Sequence, residues 1–217
     1  MWIKEIIFYG VLLAALLSCT IVKNDGTKNK DEGNPYGFSI GTIDPKQYAD
    51  EIWDSMVIPR IETMAVDFYR LTGLLNADET KTSETYGYRL SDRNSYNFAV
   101  KAAVKFLSID TGSANGVASL DIEPFDGKED CRLRIGPVLQ GYALRDIQDE
   151  ISPTDFVNQV DWARLATELN NKVKEAVLAR VDFSGMVGKE AELLGVFTWD
   201  GANSVITVTP ARLSVKD

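Results

Sequence analysis

The apolar period of this chain changes near residue 96, and that change restricts the fold more than any other feature. Between Asp44 and Asp78, apolar side chains recur every three or four residues: Tyr48, Ile52 and Met56, then Ile61, Met64, Phe68, Leu71 and Leu75. That spacing puts one stripe on one face of a helix. Asp44-Pro45 offers a capping carboxylate and then a proline at the first helical position. Pro59 predicts a kink or a split, because a proline inside a helix removes a hydrogen bond and clashes with the turn before it. The polar run 76–85 is expected to be loop. Beyond residue 96 the period is two. "YNFAVKAAVKFLSID" (96–110), "GVASLDIEP" (116–124) and "CRLRIGPVLQG" (131–141) read as strands. Leu120 and Ile122 alternate with Ser119, Asp121 and Glu123; Cys131, Leu133 and Ile135 alternate with Arg132 and Arg134. "DTGSANG" and "FDGKED" carry the turn residues between them, so an antiparallel meander is expected.

A second helix follows. "SPTD" (152–155) has a capping serine, a proline and an acid three positions on. Trp162, Leu165, Leu169, Val173 and Val177 then keep helical spacing, and the pattern allows a start near 153 or near 161. "AELLGVFTW" (191–199) and "SVITVTPARLSV" (204–215) read as two last strands joined by the compact turn "DGAN". The order after residue 86 is therefore three strands, a helix and two strands. That is the element order of an OB-fold, a five-stranded barrel with its helix between the third and fourth strands. The predicted class is α+β: an OB-like five-stranded antiparallel barrel with an inserted helix and an added N-terminal helical segment. An α+β sandwich of the same elements is the competitor.

The N-terminus changes character at one residue. Residues 6–17, "IIFYGVLLAALL", are an apolar run too short for a bilayer-spanning helix, which needs about 20 residues, and of the length of a signal-peptide core. Leu16-Leu17-Ser18-Cys19 then resembles a bacterial lipobox, with Leu at −3, a small residue at −1 and Cys at the cleavage point; Leu17 departs from the small residue usual at −2. Lipidation at Cys19 with two or three acyl chains would anchor the chain firmly, where one chain would not. Residues 1–18 are read as a lipoprotein signal peptide, 19–37 as a flexible polar tether and 38–217 as a single domain. The expected location is extracytoplasmic.

Composition narrows the chemistry. The net charge is −9, and residues 1–18 hold one Lys and one Glu, so their removal leaves it unchanged. Nucleic-acid binding needs a basic surface, so no nucleic acid is expected as partner. The chain has no histidine, which removes Ser-His-Asp and Cys-His nucleophile systems and His-ligated zinc. With Cys19 lipidated, Cys131 has no intramolecular partner. It lies on the apolar face of its strand and reads as a small buried hydrophobe.

Several constellations bear on chemistry. Asn158 and Gln159 precede Asp161 and Trp162; amides beside an aromatic ring can build a sugar site, or they can cap a helix while Trp162 joins the core. Arg134, Arg145 and Asp146 flank the bends of "RIGPVLQGYALRD", where an Arg–Asp pair can clamp a ligand or brace a barrel corner. Asp110-Thr111-Gly112 matches an aspartic-protease triplet, but no second such loop exists, so it reads as a turn. The acids Asp121, Glu123, Asp126, Glu129 and Asp130 lack calcium-loop spacing and read as a solvated hairpin. A hydrolase working through Asp121 and Glu123 is the weakest reading.

Seven blocks together carry a resemblance: "CTIVK" (19–23), "DPKQYADEIWDSMVIP" (44–59), "YNFAVK" (96–101), "LSIDTGSANGVASLDI" (107–122), "RIGPVLQGYALRD" (134–146), "FVNQVDWARLATELNNKV" (156–173) and "VTPARLSV" (208–215). In order along the whole chain, they are similar to the predicted periplasmic lipoproteins called domain of unknown function 2291. The resemblance implies an OB-like barrel with an N-terminal helical part, and members encoded beside sugar-uptake ABC transporter genes. It implies no activity and no binding residues. It departs at Ala102-Ala103, where members carry glycine, so a bulge or close approach there is expected to be missing. The function expected is that of a non-enzymatic, cofactor-free accessory protein, anchored to the membrane by its lipid and bound to ABC transporter components. The alternative is direct binding of a small sugar or cell-wall fragment in the barrel mouth. The residues chosen for a ligand surface are Arg134, Arg145, Asp146, Asn158, Gln159 and Trp162.

Overall fold

The alternating segments close on one another. A computed structural model describes residues 43–216; the expected signal peptide, Cys19 and the expected tether lie outside the described residues. Five strands build the barrel: β2 (Asn97–Ile109), β3 (Val117–Ile122), β4 (Cys131–Arg134), β5 (Glu190–Thr198) and β6 (Thr207–Val215). Strand β2 is long enough to serve two neighbours. Its residues Asn97 to Lys105 face β5, and Val104 to Ile109 face β3. β3 pairs with β4, β4 with β6 and β6 with β5, which completes the ring. Closure decides for the barrel and against the sandwich. Four of the five pairings are antiparallel, and β4–β6 is parallel, with Arg132 opposite Thr207 and Leu133 opposite Val208. Five is an odd number, so directions cannot alternate all the way around a closed ring.

Bulges bend the strands where closure needs curvature. One lies between Phe106 and Ser108 on β2, another at Leu194/Gly195 opposite Pro210 on β6. Ala102 and Ala103 sit in regular register with Leu193 and Glu192, so the bulge lies one turn of pleat further along. The strand expected over 131–141 stops at Arg134. There the backbones of Gly116 and Gly136 meet, and the N–H groups of Ile135 and Gly136 both donate to the Gly116 carbonyl, at 3.0 and 2.9 Å. The last strand begins at Thr207, later than expected, because Val205 is exposed and belongs to the β5–β6 loop.

The N-terminal helical part runs α1 (Pro45–Ile52), a π-helical turn (Trp53–Val57) and α2 (Ile58–Met64). Asp44 caps α1 by accepting from the N–H groups of Lys46 and Gln47 at 2.9 and 3.0 Å. Pro59 does not split the helix. The widened turn just before it, closed by Ile58 N–H to the Trp53 carbonyl, takes up the misfit. The break comes at Ala65, which turns extended, and Val66–Asp67 form a short strand β1 parallel to β2. Asp67 then caps α3 (Phe68–Ala77), and Asp78 caps α4 (Glu79–Tyr86). The polar run expected as loop is thus mostly helix. It has no apolar stripe because α4 buries Thr82 and Ser83, and Thr82 Oγ1 donates to the Leu74 carbonyl at 3.0 Å. Between β4 and β5 come α5 (Ala143–Asp146), a 3-10 turn (Pro153–Asp155) and α6 (Gln159–Ala176), which buries Trp162, Leu165, Leu169 and Val173. Both predicted starts exist: Ser152 and Asp155 close a box around the short turn, and α6 starts afresh. Phe98 stacks on Phe197 at 5.5 Å inside the barrel, with Phe68 of α3 against the same ring at 6.2 Å.

The acidic hairpin is not a uniformly solvated turn. Asp121 is 1% exposed, and its carboxylate accepts from the N–H groups of Asp126 and Gly127, at 3.3 and 2.8 Å. Asp130 Oδ2 accepts from Ile122 N–H at 2.8 Å. These acids satisfy backbone donors that a tight β3–β4 connection leaves over. Asp121→Ala strands two of them and is expected to cost about 1–3 kcal/mol. Urea unfolding should show a lower midpoint with an unchanged slope.

Candidate functional site

The six residues chosen from sequence divide among three places. Arg145, Asp146, Gln159 and Trp162 line one cleft of about 620 Å3, between the segment after α4, helix α5 and the start of α6. Arg134 lies elsewhere, in a cavity of about 90 Å3 between the end of β4 and the β5–β6 loop. Asn158 belongs to neither set of lining residues. It caps α6: Asp161 N–H donates to Asn158 Oδ1 at 2.9 Å, and Asn158 Nδ2 donates to Asp161 Oδ2 at 2.9 Å. Its helix-capping reading is the one the structure supports.

The cleft is organised around Arg145, which is 6% exposed. Its guanidinium lies 4.1 Å from the Trp162 ring centroid and 4.9 Å from that of Tyr142. One nitrogen donates to the Trp162 carbonyl at 2.9 Å, and another pairs with Asp146 Oδ1 at 2.6 Å. A guanidinium can be buried this way because it is weakly hydrated and its faces stack on rings. Burial pushes the Asp146 carboxyl above its ordinary range, against the opposing pull of Arg145. At the other end Arg60 pairs with Asp149 at 2.9 Å, and its guanidinium lies 5.7 Å from the Tyr88 ring. Trp162 is backed by Phe156, with ring centroids 5.4 Å apart. The charges of the cleft are therefore turned on one another.

Sequence reasoning missed Tyr88, Leu90 and Tyr142 as wall residues of this cleft. The first two stand more than fifty positions from the rest, and only the barrel brings the segments together. Tyr142 carried a signal, an aromatic just after Gly141, whose positive φ of 105° turns the chain outward.

The Arg134 cavity is polar. Its lining includes Gln140, Trp199, Asp200, Ser204 and Thr207. Burial pushes the Arg134 guanidinium below its ordinary range, and Asp200 partly offsets this. Among the described residues, no group of three or more acids or Cys stands ready to hold a metal ion. Cys131 is fully buried in the barrel, and burial, with Asp130 and Glu129 nearby, pushes its thiol far above the ordinary range. Such a thiol is a poor nucleophile. In the native protein it should react with a maleimide roughly 100-fold or more slowly than in denaturant. Comparable rates in both would show that the barrel opens readily.

Comparison with known proteins agrees with this architecture. The crystal structure of an OB-fold protein from Thermotoga maritima superposes with a TM-score of 0.67, covering 80% of this chain and 99% of that one at 20% identity. That likeness speaks for the fold alone. A comparison with curated proteins found no match. A family model described as predicted periplasmic lipoprotein, domain of unknown function 2291, matches residues 9–214. With all but the last residue of the barrel, and the helices that cover it, inside that match, the chain belongs to this family of predicted periplasmic lipoproteins.

Proposed function

We propose that this lipoprotein is a non-enzymatic binding module, an accessory of a sugar-uptake ABC transport system, and that it binds its protein partner through the Tyr142–Trp162 cleft. One observation carries the reading. The charged side chains of the cleft are already paired, Arg145 with Asp146 and Arg60 with Asp149. A sugar needs free donors and acceptors to read its hydroxyls. A protein surface can instead be met by exposed apolar groups: Tyr142 on the cleft wall at 57%, and Val157 and Val160, which flank the lining residue Gln159 in sequence, at 57% and 68% exposure. Aromatic and aliphatic groups at a rim of satisfied polar ones are the usual material of an interface core.

The test is crosslinking of the full-length protein in its native membrane, read by mass spectrometry. Crosslinks from α5 and the first turn of α6 to a permease or solute-binding subunit are expected. Val160→Asp should reduce them about tenfold, the loss of one good interface anchor, while leaving thermal stability unchanged. Recovery of the protein alone overturns the reading. Anchoring is assigned to Cys19: Cys19→Ser should accumulate as an uncleaved precursor without lipid label, and normal processing of that variant would refute the assignment.

A second reading is supported by the Arg134 cavity. It holds a charge that no ion pair matches among the described residues, and it would make the barrel mouth a site for a small sugar or cell-wall fragment.

A further inference from the structure

We propose that the mouth cavity between β4 and the β5–β6 loop is a carboxylate site, in which Arg134 and the indole N–H of Trp199 receive the monoanionic group of a hydroxylated acid such as a sugar acid. This rests on the second reading above and names its ligand class.

Two independent observations converge on it. Arg134 is half-buried at the end of β4, and among the described residues its guanidinium makes no hydrogen bond or ion pair. Eleven ion pairs are formed among the described residues, and even the buried Arg145 has its carboxylate. An unpaired guanidinium held partly out of water is costly unless something meets it. The second observation is Trp199, 9% exposed, which lines the same cavity. Its Nε1–H is buried and has no acceptor. Buried donors are nearly always satisfied, so an orphan beside a cavity calls for a missing acceptor. Both groups are donors only, and both await an oxygen.

The geometry limits what that oxygen belongs to. The cavity is about 90 Å3, room for a carboxylate group while the body of the acid stays outside. One cation serves the site, and Asp200 lies close enough to act on it. Arg134 and Asp200 together are neutral, so a bound monoanion leaves one net negative charge and a dianion such as phosphate leaves two; Asp200 repels both, the dianion twice as strongly, and the site favours the smaller charge. Ser204 and Thr207 at the wall, and Asp200 as acceptor, suit hydroxyls on the carbon next to the carboxylate. The indole N–H has no accessible surface as the loop stands, so its engagement requires the β5–β6 loop to shift; Gly201, with φ of 94°, turns that loop.

The experiment uses the full-length lipoprotein in nanodiscs with nitrogen-15-labelled tryptophan. Cleavage before Cys19 removes Trp2 and leaves Trp53, Trp162 and Trp199, and Trp199→Phe assigns the resonance. Titration with D-glucuronate should move the Trp199 indole N–H downfield and saturate. D-glucose should leave it in place. Arg134→Gln should weaken glucuronate binding at least tenfold, and Arg134→Lys, which keeps charge but loses the fork, should fall between. Glucose binding as well as glucuronate, with Arg134→Gln unaffected, overturns the carboxylate assignment but leaves the mouth a ligand site. Phosphate binding tighter than glucuronate also overturns it. No response to any of the three refutes both this inference and the reading beneath it. If Arg134→Gln does not fold, the glucuronate–glucose contrast and Arg134→Lys still decide.

Discussion

Gly136→Ala should be among the most damaging single-methyl changes in this protein. A Cβ built at Gly136 would stand 2.2 Å from the Gly116 nitrogen, 2.7 Å from the Ala114 carbonyl oxygen and 2.9 Å from the Asn115 carbonyl carbon. All three are backbone atoms, so no side chain can swing away. The strand would have to move, and with it the paired bonds from Ile135 and Gly136 to Gly116. Those bonds hold the β2–β3 turn onto the end of β4, where the barrel bends from strand into the segment that carries α5. Overpacking costs typically about 1–3 kcal/mol and occasionally more, and this site belongs at the top of that range or above it. A loss of 3 kcal/mol corresponds to a fall in Tm of about 6–12 °C for a chain of this size. Gly73→Ala is the control, because a Cβ there meets nothing within 4 Å. If Gly136→Ala melts with the wild type, the close approach of the two glycines is wrong.

Arg145→Ala is the second large effect, and it tests how the cleft is held. The change removes the ion partner of Asp146, which is itself mostly buried, and the donor to the Trp162 carbonyl. It also removes the plate between the Tyr142 and Trp162 rings. Breaking a buried pair from one side typically costs about 3–5 kcal/mol, because the charge left behind has no compensation. Replacing both members with apolar groups, as in Arg145→Met with Asp146→Leu, should recover a substantial part of that loss. Chemical denaturation of the single and double variants decides it. A double variant as unstable as Arg145→Ala would mean that stacking and the carbonyl bond, not the orphaned carboxylate, dominate. The raised Asp146 carboxyl adds a pH signature. A folded-state value above the unfolded one means the native state holds its proton more readily, so this group's contribution to stability falls as pH rises through that window. The slope should vanish in Asp146→Asn.

The contrast between these two sites shows how much of the candidate surface was readable beforehand. Arg145, Asp146, Gln159 and Trp162 were chosen for their chemistry, and the fold does bring them to one cleft. Arg134 was grouped with them on proximity along the chain. It goes instead to the barrel mouth, because β4 ends there and the chain turns away through Gly136. Asn158 looked like a sugar-reading amide and is a cap, since its neighbour Asp161 offers the N–H it needs. In sequence Trp199 is a strand end, and only the tertiary structure shows that its N–H is buried without a partner. Position along a strand predicts which side a group takes, and says nothing about whether another segment will satisfy it.

The sequence by itself determined the order and type of the barrel strands and of the helix inserted among them. Period-two alternation marked five strands, and the heptad-like stripe of Trp162, Leu165, Leu169 and Val173 marked the helix between them. These are local patterns, and burial of one face follows directly from them. It also gave the apolar-to-polar break at Cys19 that marks a lipoprotein. What the tertiary structure alone decided was non-local. The splitting of β2 between two neighbours, the parallel β4–β6 contact forced by an odd ring, and the polar helix α4 all depend on partners far away in sequence. The same holds for function. A guanidinium is a structural brace at Arg145, where Asp146 meets it at 2.6 Å; at Arg134, among the described residues, Asp200 acts on the charge without forming an ion pair, and the difference lies in how close the carboxylate comes.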